Sequence, residues 1–142
     1  MLHVLLRPGF GAALLAAQFL SGRESLFTQS VPVLVAGGAS ILGSVALWIA
    51  ASVHCTRATE ADELATTGPY AVIRHPIYTS VLLLGLGLGL VFFSWMHLAV
   101  VAVSVPLWYL ESRSEERAML ETHGKAYKTY RQGKAMLIPG IL

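Results

Sequence analysis

Charge is scarce in this chain of 142 residues: Asp, Glu, Lys and Arg make up 13% of it, against 55% hydrophobic residues. Soluble domains carry about a quarter charged residues, so a mean hydropathy of +0.63 places the chain with membrane proteins. The formal net charge is only +2, and the basic residues do not line one polar face, which argues against a nucleic-acid partner. A single cysteine, Cys55, excludes an internal disulfide framework and a CxxC redox pair. No group of His, Cys, Asp and Glu has metal-ligand spacing, so no metal is expected. There is no internal repeat and no low-complexity tail.

What is present is apolar sequence in runs. A hydrocarbon core about 30 Å thick asks for about 20 apolar residues per helix. Residues 31–53, VPVLVAGGASILGSVALWIAASV, carry no charge. Residues 77–93 and 94–110 are shorter and separated only by the corner Ser94-Trp95-Met96-His97, which predicts a tight antiparallel hairpin. Trp95 and the Trp108–Tyr109 pair then fall near opposite membrane faces, where amphipathic rings prefer to sit. Residues 4–20 are interrupted by Arg7, Pro8 and Gly9 and share features with a signal-peptide core, but no small-x-small cleavage site follows. They are read as a retained first helix entering the membrane obliquely near Phe10. The expected fold is an all-α, polytopic membrane protein of one domain over 1–142, with about four transmembrane helices.

The tail 111–142 holds Arg113, Arg117, Lys125, Lys128, Arg131 and Lys134, more than half of the 10 basic residues. The positive-inside rule places that tail in the cytoplasm. Four spans then put both termini and the 54–76 loop on the cytoplasmic side, and 21–30 with the Ser94 corner outside. The two polar segments of the chain meet on one membrane face.

The 54–76 loop ends in an unusually crowded motif, TTGPYAVIRHPIYTS. Gly68-Pro69 marks a turn. His75 before Pro76 disfavours a helical His75 and suits the first turn of the next helix. Tyr70, Arg74, His75 and Tyr78 therefore gather at a helix entrance. Taken singly, each has a plain structural alternative, since tyrosines and arginines at helix ends often anchor a membrane interface. The tail contributes Glu115 and Glu116, which from spacing alone read as a solvated face partnered by Arg113 and Arg117. Gly124 is expected as a helix C-cap, followed by a short amphipathic helix. The run GLGLG at 85–89 lies inside an apolar segment and is no dinucleotide loop. Its Gly85 and Gly89 form a GxxxG pair, suited to close helix contact.

Together, TTGPYAVIRHPIYTS and EERAMLETHGKAYKTY resemble the signature of the isoprenylcysteine carboxyl methyltransferase family, much of it shared with the related phospholipid methyltransferases. The first half of the signature is carried by Gly68, Tyr70, Arg74, His75, Pro76 and Tyr78; the second by Glu115, Glu116, Leu120, Gly124, Tyr127 and Tyr130. The resemblance implies S-adenosylmethionine as methyl donor, bound at a cytoplasmic mouth by Leu64, Ala65, Tyr70, His75, Tyr78 and Glu115. Aromatic faces and a carboxylate suit the sulfonium and ammonium of that donor. Arg74, Glu116 and Arg113 are the expected catalytic residues. The chain departs from the pattern at Glu111, where the carboxyl methyltransferases place an arginine for the substrate carboxylate, with Arg113 the nearest arginine. It departs also at Asp62, where histidine is frequent, and at Thr79-Ser80, which replace a bulkier residue and a glycine.

The reading is an integral membrane methyltransferase whose partners are the bilayer and a small or lipophilic acceptor bearing a carboxylate, thiol or amine. Two alternatives stand beside it. One is an NADPH-dependent membrane reductase, because the sterol reductases resemble the C-terminal region. The other is a non-catalytic membrane protein that retains the fold.

Overall fold

The computed structural model describes residues 2–20, 30–92 and 94–138. Four helices follow in order: α1 (Leu2–Leu20), α2 (Val31–Glu60), α3 (Pro76–Val91) and α4 (Trp95–Tyr130), with a 3₁₀ turn over Gly68–Ala71 between α2 and α3. The all-α expectation holds. The expected outward loop 21–30 lies, except for Ser30, outside the described residues.

Proline sets two of the helix starts. Pro32 and Pro76 stand in the first turns of α2 and α3, behind an extended Ser30 and a non-helical His75. Proline is tolerated there because a first-turn N–H has no intrahelical acceptor to lose. The end of α2 differs from expectation: the helix does not stop at Val53 but runs on to Glu60. Residues 54–60 contain neither glycine nor proline, and Arg57 in the last turn complements the negative end of the helix dipole. The chain leaves the helix through Asp62, whose φ of 55° is left-handed.

At the other end, α4 carries the tail as a 36-residue helix broken at Gly124, where φ is 48° and ψ −117°. Gly124 therefore breaks the helix as expected, with a further helical segment reaching Tyr130.

α3 packs between α2 and α4, and its glycines make this possible. A Cβ on Gly87 would lie 2.7 Å from Ile41 and 3.0 Å from the Gly37 carbonyl of α2. On the opposite side, a Cβ on Gly85 would lie 2.6 Å from Val101, and one on Gly89 would lie 2.8 Å from Leu98, both of α4. The GxxxG pair thus serves the α3–α4 contact, and Gly87 the α2–α3 contact. α1 packs on α4, where Phe10 and Leu14 join Tyr78, Leu82 and Trp108 in the main core.

Among the described residues, α2 is the helix long and apolar enough to cross a membrane, with only 11% of its apolar window buried inside the protein. Its Leu42, Val35 and Trp48 are 73%, 64% and 52% exposed, an apolar outer surface of the kind a candidate membrane span presents. α3 is apolar but spans 16 residues. In α4 the apolar stretch gives way at Glu111 to the charged tail.

Candidate functional site

Where α2, the 61–75 link, the start of α3 and the tail part of α4 converge, they enclose a cavity of about 460 Å³. Its position follows from local chemistry. Gly68 takes a φ of +60°, and a side chain there would collide with the ring of His54. His54 in turn holds Thr67 through Nδ1 at 2.9 Å. This turn carries Tyr70 inward, and the Tyr130 hydroxyl donates to the Tyr70 carbonyl at 2.8 Å in a buried contact. Tyr70, Tyr127, Tyr130 and Ala51 form a second core cluster under the cavity.

The two glutamates have different surroundings. Glu115, 29% exposed, turns one oxygen to the Tyr78 hydroxyl, which donates to it, and the other to His75 Nδ1 at 3.4 Å. Glu116, 8% exposed, is 2.8 Å from Arg74 Nη1 and 3.5 Å from His75 Nε2, with Arg131 at 4.0 Å. The His75 Nε2 approach is an ion-pair contact rather than an aligned hydrogen bond, so this buried nitrogen has no in-line partner. Behind the ring runs a line of aromatics. His75 stacks on Tyr78 at 5.6 Å, Tyr78 on Trp108 at 4.7 Å, and Trp108 meets Phe10 edge-on at 6.0 Å.

Burial opposes a charge on His75, but the hydrogen-bonding and charge of Glu115 and Glu116 outweigh it, and its pKa lies above the ordinary value. Burial likewise works to neutralise Glu116, yet contact with His75 and the charge of Arg74 prevail and hold it below the usual carboxylate range. Tyr70 and Tyr127 are raised, mainly by burial, and burial pushes Tyr130 up to about 12. All three phenols keep their protons at neutral pH.

Leu64, Ala65, Tyr70, His75, Tyr78 and Glu115, the six expected donor-binding residues, all line this cavity, and so does Arg74. Glu116 lies directly behind Arg74 and His75. Arg113 is not brought to the site: it is exposed, with its guanidinium 5.9 Å from the ring centre of Tyr109. The sequence reading did not single out Cys55, Met119 or His123, which also line the cavity. Nor did it find the segment 135–138, which pairs with the main chain of Arg74 and His75. Among the described residues no group of His, Cys, Asp and Glu is arranged to hold a metal.

A polar mouth of paired carboxylates and aromatic faces, set at the end of apolar helices, defines an all-helical protein with one polar cavity suited to a small cation. The chain belongs to the phospholipid methyltransferase family, whose model matches residues 44–126. That span contains every candidate site residue. Members of the family are membrane enzymes that use S-adenosylmethionine. No curated protein and no solved structure matches the chain.

The residues present fit that donor. The cavity volume lies within the roughly 300–1,000 Å³ of small-molecule sites. Its wall offers Tyr70 and Tyr78 faces for a sulfonium, Glu115 for an ammonium, and the unaligned His75 Nε2 as a further polar group.

Proposed function

We propose that this protein transfers the methyl group of S-adenosylmethionine to an acceptor held in the bilayer, with the donor seated by Leu64, Ala65, Tyr70, His75, Tyr78 and Glu115. The observation that carries the reading is the convergence of those side chains, from three chain segments, on one cavity of about 460 Å³. When bound, the donor supplies an electrophilic methyl group on sulfur. The protein's part is to hold and shield. Glu115 is fixed by Tyr78 and His75, so its carboxylate meets a cation without first having to be ordered. Arg74 and Glu116 lock the floor of the mouth as a buried ion pair. Arg113, exposed and turned to Tyr109, takes no part in this proposal.

The acceptor is proposed to be lipophilic. A second, almost wholly apolar cleft of about 390 Å³ lies between α1 and α4, walled by Phe10, Ala13, Val100, Leu107 and Trp108. Trp108 stacks on Tyr78, so the two cavities share an aromatic wall. An acyl or similar chain in the cleft brings a head group towards the mouth. Glu111 is a carboxylate, 2% exposed, where a carboxylate-binding arginine was expected; this favours an uncharged or cationic head over an anionic one. An amine head must lose a proton before it attacks. His75 can accept that proton only above its raised pKa, which predicts a rate that climbs with alkaline pH. The same reading keeps all four helices in the membrane, with both termini and the mouth on the cytoplasmic side.

The test is calorimetry of S-adenosylmethionine on detergent-purified protein, with NADPH as control, for the unaltered chain and for Glu115→Ala and Tyr78→Ala. Selective binding of the methyl donor, lost in both variants while they remain folded, is expected. Retained binding in both sinks the assignment of the site, and binding of NADPH in its place turns the reading to a reductase.

A further inference from the structure

The last described stretch of the chain, residues 135–138, does not trail into solvent. It returns to the mouth and lies beside Ile73 in a parallel bridge with Ala135. The Arg74 N–H donates to the Ala135 carbonyl at 2.9 Å and the His75 N–H to the Met136 carbonyl at 3.1 Å. These two amides belong to the residues that meet Glu116 and Glu115, and neither lies in a helix. Their main chain is therefore held by the returning strap. The strap is itself anchored: Leu137 is fully buried and Met136 is 8% exposed, both packed in the core with Tyr78 and Trp108.

One side chain closes this arrangement. Thr79, in the first turn of α3, donates its hydroxyl to the Leu137 carbonyl at 2.6 Å, with the His75 carbonyl at 3.2 Å as a second acceptor. Its backbone N–H bonds the same His75 carbonyl at 3.1 Å. Leu137, Thr79, His75 and Met136 thus form a closed ring of contacts around the residue that stands between the two glutamates. Resting on the donor-site reading above, the geometry points to Thr79 as a positioning residue that, with the 135–137 strap, fixes His75 against Glu115 and Glu116. Without the hydroxyl, the strap and α3 are no longer tied, the His75 main chain gains freedom, and its ring no longer holds Glu115 in register. In metal sites, loss of a partner that orients a ligating side chain weakens binding about 10–100-fold, and the low end of that range is taken here.

The test uses the full chain in detergent, with S-adenosylmethionine as probe, and compares Thr79→Val, which keeps the shape, with Thr79→Ser, which keeps the hydroxyl. Thr79→Val is expected to raise the Kd for the donor about tenfold and to move the His75-dependent limb of the binding–pH profile to lower pH. Thr79→Ser is expected to restore both. Thr122→Val removes a hydroxyl bonded within α4 at an exposed position and should leave both unchanged. Unaltered Kd and pH profile in folded Thr79→Val overturn the inference, as does a Thr79→Ser protein as weak as Thr79→Val. Should Thr79→Val fail to fold, amide exchange in the unaltered protein decides. The Arg74 and His75 amides must be protected and slow further when the donor binds; exchange at loop rates with and without donor overturns the inference. Absence of donor binding in the unaltered protein overturns the functional reading, and this one with it, which separates that failure from failure of the strap alone.

Discussion

Glu116→Gln removes a charge while keeping the shape of the side chain, and its consequence follows from burial. An exposed ion pair contributes about 0–1 kcal/mol, but the Arg74–Glu116 pair is 2.8 Å apart with side chains only 14% and 8% exposed. Removing one partner of a buried pair leaves the other charge desolvated and costs about 3–5 kcal/mol. Arg131 adds little compensation at 4.0 Å and 40% exposure, and His75 at 3.5 Å is itself a cation when protonated. We therefore expect Glu116→Gln to destabilise the protein by about 3 kcal/mol, the low end of that range because Arg74 keeps some contact with solvent. Arg74→Gln should cost a similar amount. The double variant should be less destabilised than the two costs added, by about 1–3 kcal/mol, because each change removes the charge that the other strands. The assay is reversible unfolding in mixed detergent micelles at pH 6, followed by tryptophan fluorescence. Strict additivity, or a loss below about 0.5 kcal/mol for Glu116→Gln, refutes the claim that this pair is buried and coupled.

The same groups set the response to pH. His75, raised above 6.5, contributes stability that is whole below 6.5 and lost as pH rises through its folded value; Glu116, lowered below 4.5, contributes stability that is whole above 4.5 and lost as pH falls through its folded value. Thermal midpoints should therefore plateau between pH 4.5 and 6.5, and Glu116→Gln should pull in the alkaline shoulder; a flat profile in both proteins contradicts this. At Gly68, with φ +60° against the His54 ring, an alanine should lower stability by about 1–2 kcal/mol from backbone strain alone. His54→Ala should relieve only the steric part, and a neutral Gly68→Ala melt would remove the argument for this turn. In the apolar cleft, Ala13→Leu should raise KM for a long-chain acceptor about fourfold for each methylene displaced. The Kd for S-adenosylmethionine should stay the same, and equal effects on long- and short-chain acceptors would take the cleft out of acceptor binding.

The crowded motif was legible because its side chains carry the chemistry. Tyr70, Arg74, His75 and Tyr78 meet around the cavity much as their spacing at a helix entrance required, and Glu115 reaches them from the tail. The solvated-face reading of the two glutamates was too bland, because it counted neighbours along one helix and could not see the loop that faces them. Arg113 shows the reverse error. It is near Glu115 in sequence, but two residues along a helix are about 200° around it, and Arg113 emerges on the outer side with Tyr109. The extension of α2 to Glu60 was hidden because the apolar run stops at Val53 while the helical backbone does not. The strap was the least legible part. It is held through the main-chain carbonyls of Ala135, Met136 and Leu137, and a carbonyl leaves no mark on residue identity.

On the proposed function, the length of α3 accounts for one site that serves both a polar donor and an apolar acceptor. Its 16 residues rise about 24 Å, less than the roughly 30 Å of a hydrocarbon core. On the proposed topology, a helix this short draws one end below the head-group region unless the bilayer thins around it, and we take that end to be the entrance. The entrance is Pro76, with His75 and Arg74 before it. Charged side chains at such a depth persist only if paired and if the irregular backbone around them is bonded within the protein. Both conditions hold here. Arg74 and His75 are set against Glu116 and Glu115, and the non-helical main chain at 74–75 donates to the strap. On that topology, the ion pairs and the strap are what a mouth below the membrane surface requires. On the proposed function, that depth lets a head group reach the donor while its chain stays in the cleft beside Trp108. Lengthening α3 by one turn after Val91 would lift the mouth about 5 Å towards water. On this argument such an insertion preserves donor binding and abolishes transfer to a bilayer-bound acceptor.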